Sequence, residues 1–300
     1  MATHPTTLGR AVGRGSDRVG FHPGDPATRR AQVVIYALLV LGAAVFVLPF
    51  LWMVFTSLKS SREVFVFPPH LFPSTVHWSN FPDGWRALPF TRFLINTVIV
   101  VTGAIIGNMI SCVLPAYAFA RLNGRGKNVA FAAMLATMAI PVEVTLVPTF
   151  IFFSKLHLVN TLWPLILPAW FGYAYFIFLL RQFFLTLPTE YAEAARIDGA
   201  GYLRTLWYII LPQSRPAVAT IAVFSFVGNW NNLLAPIIYL RTQDKFTLAV
   251  GLQLFQGQYT QQYNQMMAVS LITILPIMVV FVLAQRSFLG SGSLTGLGGR

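Results

Sequence analysis

The chain has 300 residues, 56% hydrophobic and only 10% charged, against about 25% charged in an ordinary soluble domain. That excludes a water-soluble globule and indicates a polytopic membrane protein. The net charge of +12 would suggest nucleic acid in a soluble protein. Here the cations fall in short loops and the N-terminal tail, where membrane orientation accounts for them, so lipid and not nucleic acid is the expected surrounding. One cysteine, Cys112, and five scattered histidines leave no intrachain disulfide framework and no metal-ligand spacing.

Residues 1–30 are rich in Gly, Pro, Thr and Arg and cannot bury a core, so a disordered tail is expected. Arg29 and Arg30 abut the first apolar run, which is too long for the core of a cleavable signal peptide. A membrane helix needs roughly 20 apolar residues, and six such spans are expected, at about 32–56, 92–119, 128–152, 162–180, 217–239 and 266–284. The first carries Pro49, expected to kink it. The loop that follows, to about Thr91, holds Pro68, Pro69, Pro73 and Pro82, which favour extended backbone, and Trp78 and Trp85, which suit the membrane interface. In the second span Gly103, Gly107 and Ser111 recur every four residues, a spacing that suits close helix packing. The third is interrupted by Pro141 and Pro148 and contains Glu143, the only carboxylate well inside an apolar segment.

Between the fourth and fifth spans lies a charged stretch, Glu193 to Pro212, reading EAARIDGAGYLRTLWYIILP. Thr189 is placed to cap a short helix whose first turn holds Glu190 and Glu193, where the helix dipole favours negative charge. Alanines 192, 194 and 195 favour helix, and Gly199 offers the left-handed residue that ends one. A second helix from about Tyr202 to Ile210 is expected to run into Pro212. The result is a helical knuckle with a low-profile surface, suited to seating in another protein.

Polar groups inside spans are expensive in lipid and usually face the bundle interior. Asn229, Trp230, Asn231 and Asn232 in the fifth span, with Asn229 and Asn232 on one helix face, suit a neutral polyhydroxylated solute, since amides both donate and accept and an indole stacks on C–H groups. Each asparagine alone is as readily an interhelical hydrogen-bond partner. Asn108 in the second span is a weaker candidate for the same path, and Glu143 is either a solute or gating contact or a hydrogen-bonded acid near the outer interface. The loop from Arg241 to Asn264 is polar and rich in Gln and Tyr, and the Gly/Ser-rich residues 291–300 form a tail.

Glu193-Ala194-Ala195, three residues, Gly199, nine residues, Ile209, one residue, Leu211-Pro212 resembles the EAA loop of membrane subunits of binding-protein-dependent ABC importers. Pro49-Phe50-Leu51-Trp52 to Ser57-Leu58-Lys59, Phe93 to Thr97, and Trp230-Asn231-Asn232 with Pro236 are similar to carbohydrate-type permeases, and the Phe288-to-Gly299 ending resembles their glycine-rich tail without its final Val-Lys-Gly. The resemblance covers residues 31–300 and points to the smaller, maltose-permease-type subunit. It implies an all-α, six-helix type I importer domain over residues 31–290. It assigns Glu193, Ala194, Ala195, Asp198, Gly199, Leu211 and Pro212 to coupling with a separate ATPase dimer. It also implies a second, different permease chain, and an extracytoplasmic solute-binding protein touched by Gln256, Gly257, Gln258 and Tyr259.

The chain itself shows no Gly-rich phosphate loop and no credible catalytic pair, so it reads as a non-enzymatic subunit with ATP-Mg bound by its partner. Lys and Arg are roughly twice as numerous on the side holding the termini and the Glu193 loop, which puts both in the cytoplasm of a bacterial inner membrane. A proton- or ion-coupled secondary transporter is the rival reading. It requires several charged intramembrane groups and usually an internal repeat.

Overall fold

The computed structural model describes the backbone of residues 26–259 and 262–292 and the side chains of residues 30–259 and 262–285. Among them every regular element is helical. The expected disordered tail lies outside the described residues up to position 25, and its last five residues are already helix: α1 runs Pro26–Ser57, continuous through Pro49. The glycine-rich tail likewise lies outside the described residues from position 293.

The loop after α1 is not simply extended. It forms α2 (Ser61–Val64), with Ser60 accepting a hydrogen bond from the Glu63 N–H, and α3 (Asn80–Ala87). A buried polar knot holds it. Asn80 Nδ2 donates to the Ser57 and Lys59 carbonyls at 2.8 Å each, Asn264 Nδ2 donates to Lys59 O at 3.1 Å and to Asn80 Oδ1 at 2.9 Å, and Lys59 Nζ donates to His70 O. Lys59, at the end of the first span, is buried, its ammonium bonded to the loop that it folds under.

Helix α4 (Phe90–Arg121) is the second span and the centre of the packing, with a row of buried residues along its length. The four-residue small-side-chain spacing does what it predicts. Ile166 lies over Gly103 and Trp170 over Gly107, so the following segment approaches the α4 backbone directly. The third span is interrupted at Pro141, as expected, while Pro148 stays inside a helix. Helix α5 (Lys127–Ala136) and a 3-10 turn end at Ile140, which Pro141 forces out of helical backbone, and α6 (Val142–Lys155) departs at 95°. The fourth span, Trp163–Thr186, comprises α7 (Trp163–Ile166), a 3-10 corner Leu167–Phe171, a break at Gly172 and Tyr173, and α8 (Ala174–Thr186).

After the knuckle, which holds α9 (Glu190–Ile197), α10 (Tyr202–Thr205) and α11 (Leu211–Gln213), the chain turns by 81° into α12 (Arg215–Trp230). The fifth span does not stay helical to Tyr239. Asn231 Nδ2 turns back to Val227 O, Asn232 Oδ1 accepts from the Ala235 N–H, and Pro236 has no N–H to offer the preceding turn, so the helix stops and restarts as α13 (Leu234–Tyr239). The polar loop expected at 241–264 contains a helix, α14 (Leu248–Gln258). Leu248, Gly251 and Phe255 recur at helical spacing and are buried against α4, a pattern hidden by the glutamines around it. Helix α15 (Tyr263–Gly292) is the last span, continuous through Pro276.

Among the described residues four helices are long and apolar enough to cross a bilayer, and counting each bent pair as one span makes six. Two of the three buried clusters of residues 53–285 lie at the two ends of α4. One gathers Val113, Tyr117, Leu180, Phe184, Leu206 and Ile210 near the knuckle, and the other gathers Phe90, Phe93, Trp230, Leu248, Phe255 and Val269 at the far end of α4.

Candidate functional site

The knuckle is built on two anchored helices with an exposed seam. Helix α9 buries Ala192 and Ala195 and leaves Glu193, Ala194, Asp198 and Gly199 in the open. Thr189 occupies the cap position without a side-chain hydrogen bond, which differs from the expected capping, because its backbone is already helical (φ −74°, ψ −26°). The other end is as expected. Gly199 has φ +79°, its N–H donates to Arg196 O at 3.0 Å and the Ala200 N–H to Ala195 O at 2.8 Å, the paired bonds of a Schellman end. Gly199→Ala is expected to cost roughly 1–2 kcal/mol, read as a lower thermal unfolding temperature of the detergent-purified chain. Open space around the added Cβ makes the backbone, not packing, the cause.

The second half, Tyr202 to Gln213, widens into a π-helical turn at Leu206–Ile210 ahead of Pro212, which has no N–H to return to it. Leu206 and Ile210 are at most 1% exposed and root the knuckle in the core. The outer surface is the reverse: Ile197 is 88% and Tyr208 77% exposed, with Leu203 and Trp207 close behind. A cleft of about 580 Å³ runs between the two halves, lined by Tyr191, Ala194, Asp198, Arg204, Tyr208 and Pro212 among others. Large apolar side chains thus rim a cleft of mixed polarity that holds Asp198 and Arg204.

No ion pair joins Glu193 to Arg196, although they lie one turn apart on the same helix. Arg196 instead sets its guanidinium 5.1 Å from the centre of the Tyr202 ring. The Glu193 carboxylate is therefore not consumed within its own helix.

The residues named for a solute path divide. Asn108 and Asn229 meet at Ser225: Asn108 Nδ2 donates to Ser225 Oγ at 2.9 Å and Asn229 Nδ2 to Ser225 O at 2.8 Å, while Asn108 Oδ1 is buried with no hydrogen-bond partner. Trp230 is buried, donates to Thr273 O at 3.1 Å and stacks on Phe226. The break after Trp230 takes Asn232 off the helix, so it does not share a helix face with Asn229, and Asn231 is exposed. Glu143 is exposed in the first turn of α6 and makes no ion pair among the described residues. No contact joins it to the Ser225 group.

At the far end of α4, Gln256, Gly257 and Gln258 are exposed at the C-terminus of α14, and the Tyr259 hydroxyl donates to Ala87 O at 3.2 Å. Sequence reasoning missed what holds α14 there. Asn96 and Thr97, present in the Phe93-to-Thr97 stretch, are buried in α4 and bond the backbone of residues 244–248. Asn160, at φ 63°, accepts from the Arg241 and Thr242 N–H groups at 3.0 and 3.1 Å. An asparagine at a turn between spans was the available signal.

Residues 100–288 match the family described as binding-protein-dependent transport system inner membrane component. The chain belongs to that family. This permease is 34% identical to the diacetylchitobiose uptake system permease protein NgcG of Streptomyces coelicolor, over 88% of each chain. It is 33% identical to the sn-glycerol-3-phosphate transport system permease protein UgpE of Yersinia pestis, over 87% of this chain and 95% of that one. Its fold is similar to that of a bacterial ABC transporter involved in the import of the acidic polysaccharide alginate, with a TM-score of 0.77 at 24% identity over 87% of this permease and 98% of that chain. A crystal structure of bacterial alginate ABC transporter in complex with a pentasaccharide-bound periplasmic protein is similar at a TM-score of 0.62 and 14% identity. The permease is thus an inner-membrane component of a binding-protein-dependent importer, helical in every regular element of its described residues and not itself an enzyme, and the secondary-transporter reading falls.

Proposed function

We propose that this permease carries a sugar or short oligosaccharide inward, and that its Glu193–Pro212 knuckle docks a separate ATPase in the cytoplasm. The observation that carries the docking role is the contrast within the knuckle: Leu206 and Ile210 buried as roots, Ile197 and Tyr208 left bare around a cleft. The Lys and Arg bias supports a cytoplasmic position for the knuckle and both termini. ATP-Mg binds the partner ATPase dimer, not this chain. A second, different permease chain completes the path, the transmembrane domain spans residues 31–290, and an extracytoplasmic binding protein delivers solute near Gln256, Gly257, Gln258 and Tyr259.

A sugar substrate is supported by the diacetylchitobiose uptake named for one relative and the alginate import named for a structural neighbour. The Asn108–Ser225–Asn229 group supplies amide and hydroxyl partners of the right kind, while Trp230, Asn231, Asn232 and Glu143 lie apart from it. ATP binding closes the ATPase pair and moves the knuckles, and the two permeases rock from inward-open to outward-open to receive solute.

The test uses membrane vesicles holding the full complex and its binding protein. Uptake of a labelled N-acetylated disaccharide is expected to require internal ATP and to survive collapse of the proton gradient. Uptake that follows the gradient without ATP would overturn the reading.

A further inference from the structure

We propose that α4 is the mechanical link between the binding-protein side and the ATPase side, with Asn96 and Arg121 as the positioning residues at its two ends. The proposal rests on the docking role given to the knuckle above and names how that site is regulated from the outside.

The outer end of α4 grips α14 and the turn before it. Asn96, 2% exposed, spends both amide hydrogens on that turn, donating to Asp244 O and Phe246 O at 2.9 Å each. Thr97 Oγ1 accepts from the Leu248 N–H at 2.9 Å. Leu248 opens α14, whose own Thr247 gives no side-chain cap, so α4 satisfies one of the free N–H groups of that helix. Gly251 then lies directly on the Phe93 ring. Sliding α14 along α4 strips partners from buried backbone groups, so the two move together.

The inner end is a reciprocal arginine clamp. Arg121, the last residue of α4, donates through Nη2 to Phe184 O at 2.6 Å and to Leu187 O, among the orphan carbonyls at the end of α8. Arg181 of α8 returns the contact, donating through Nε to Phe119 O at 3.2 Å in the last turn of α4, with its guanidinium 4.1 Å from the centre of the Phe131 ring. Each cation sits at the negative end of the other helix's dipole, where a positive charge is favoured. Only Pro188 and Thr189 separate Leu187 from the first residue of α9. A displacement of the inner end of α4 is therefore delivered to the start of the knuckle.

The two routes along the chain into and out of the knuckle are interrupted. The chain entering the knuckle breaks at Gly172 and Tyr173, and the chain leaving it breaks at Asn231 to Leu233, so each absorbs strain before it reaches the outer face. Helix α4 is helical for 32 residues, about 48 Å at 1.5 Å per residue, and it touches both ends. The warrant is an unbroken packed element clamped at two sites, not proximity alone.

The experiment uses the complete complex in nanodiscs, with ATP hydrolysis measured with and without the solute-loaded binding protein. Asn96→Ala and Arg121→Gln are each expected to co-purify with the ATPase and keep the unstimulated rate, and to lose stimulation by at least about tenfold, within the usual range of coupling effects. Arg121→Lys, which keeps a cation at the end of α8, is expected to recover part of it. The double variant is expected to be no worse than the poorer single one, because both sever one link. Full stimulation in either assembled variant overturns the proposal, as does a loss of stimulation matched by an equal loss of the unstimulated rate. Should Arg121→Gln fail to enter the membrane, Asn96→Ala decides alone by the same criteria. A wild-type chain that recovers no ATPase defeats the docking reading first, and the link with it.

Discussion

Replacing Glu193 by lysine is expected to abolish ATP-driven uptake while leaving the permease folded in the membrane. The carboxylate is exposed and free of Arg196, so nothing in the chain's own packing depends on it. Its local contribution is a favourable position in the first turn of α9, worth about 0.3–1 kcal/mol, and reversing the charge costs a similar amount. In a docked interface the same change removes a charge-assisted contact and leaves the opposing group buried, at about 2–5 kcal/mol. Since each 1.4 kcal/mol is about tenfold in affinity, docking weakens by roughly thirtyfold or more. Membrane content of the chain should stay near wild type, with little ATPase recovered alongside it. Glu193→Gln, which can still accept a hydrogen bond, should fall between. Equal ATPase recovery from all three chains would remove Glu193 from the interface.

The second large effect is expected at Gly251, where valine should loosen the end of the bundle at which α14 packs on α4. An ideal Cβ there falls 2.3 Å from Phe93 Cδ2, 2.7 Å from Phe93 Cε2 and 3.2 Å from Phe90 Cε1. Both rings are fully buried and locked edge-to-face with each other, so neither can swing away. Overpacking of this kind costs about 1–3 kcal/mol for added methylenes, and a branched side chain on a backbone already in contact belongs at the upper end. The readout is thermal unfolding of the purified chain, with Gly251→Val melting well below wild type. Pairing it with Phe93→Leu should restore part of the loss, because the space comes from the same ring. An unchanged melting temperature for Gly251→Val would mean that α14 is not seated on α4.

Much of this was legible because membrane chains write their architecture in hydropathy. The spans at 32–56 and 92–119 fall inside α1 and α4, and the Glu193 to Pro212 spacing gave a helix, a left-handed Gly199 and a second helix, all of which the fold contains. What was not legible depends on local competition for backbone groups. The interruption at Pro141 was visible, but not its 95° angle, nor that Pro148 would stay inside a helix, since those turn on where the freed carbonyls find partners. Asn231 and Asn232 read as polar residues inside a helix, when their side chains in fact end it. Helix α14 was hidden because its apolar start, Leu248 to Leu252, is short and runs into a stretch rich in Gln and Tyr. The clamp residues were invisible for another reason. Arg121 and Arg181 look like ordinary loop cations, and only the meeting of two helix ends gives them carbonyls to hold.

The central claim, that the knuckle is where an ATPase engages this permease, is tested most directly by cross-linking. The single native cysteine, Cys112, is buried and gives little background. Ile197→Cys, on the bare rim of the knuckle, and Gln256→Cys, at the exposed end of α14, are each placed in the assembled, ATP-hydrolysing complex and treated with a short reagent that alkylates the introduced thiol and, on illumination, inserts into any group beside it. The account predicts an adduct with the ATPase from Ile197→Cys and none from Gln256→Cys. No adduct from Ile197→Cys, or an ATPase adduct from Gln256→Cys, would contradict it.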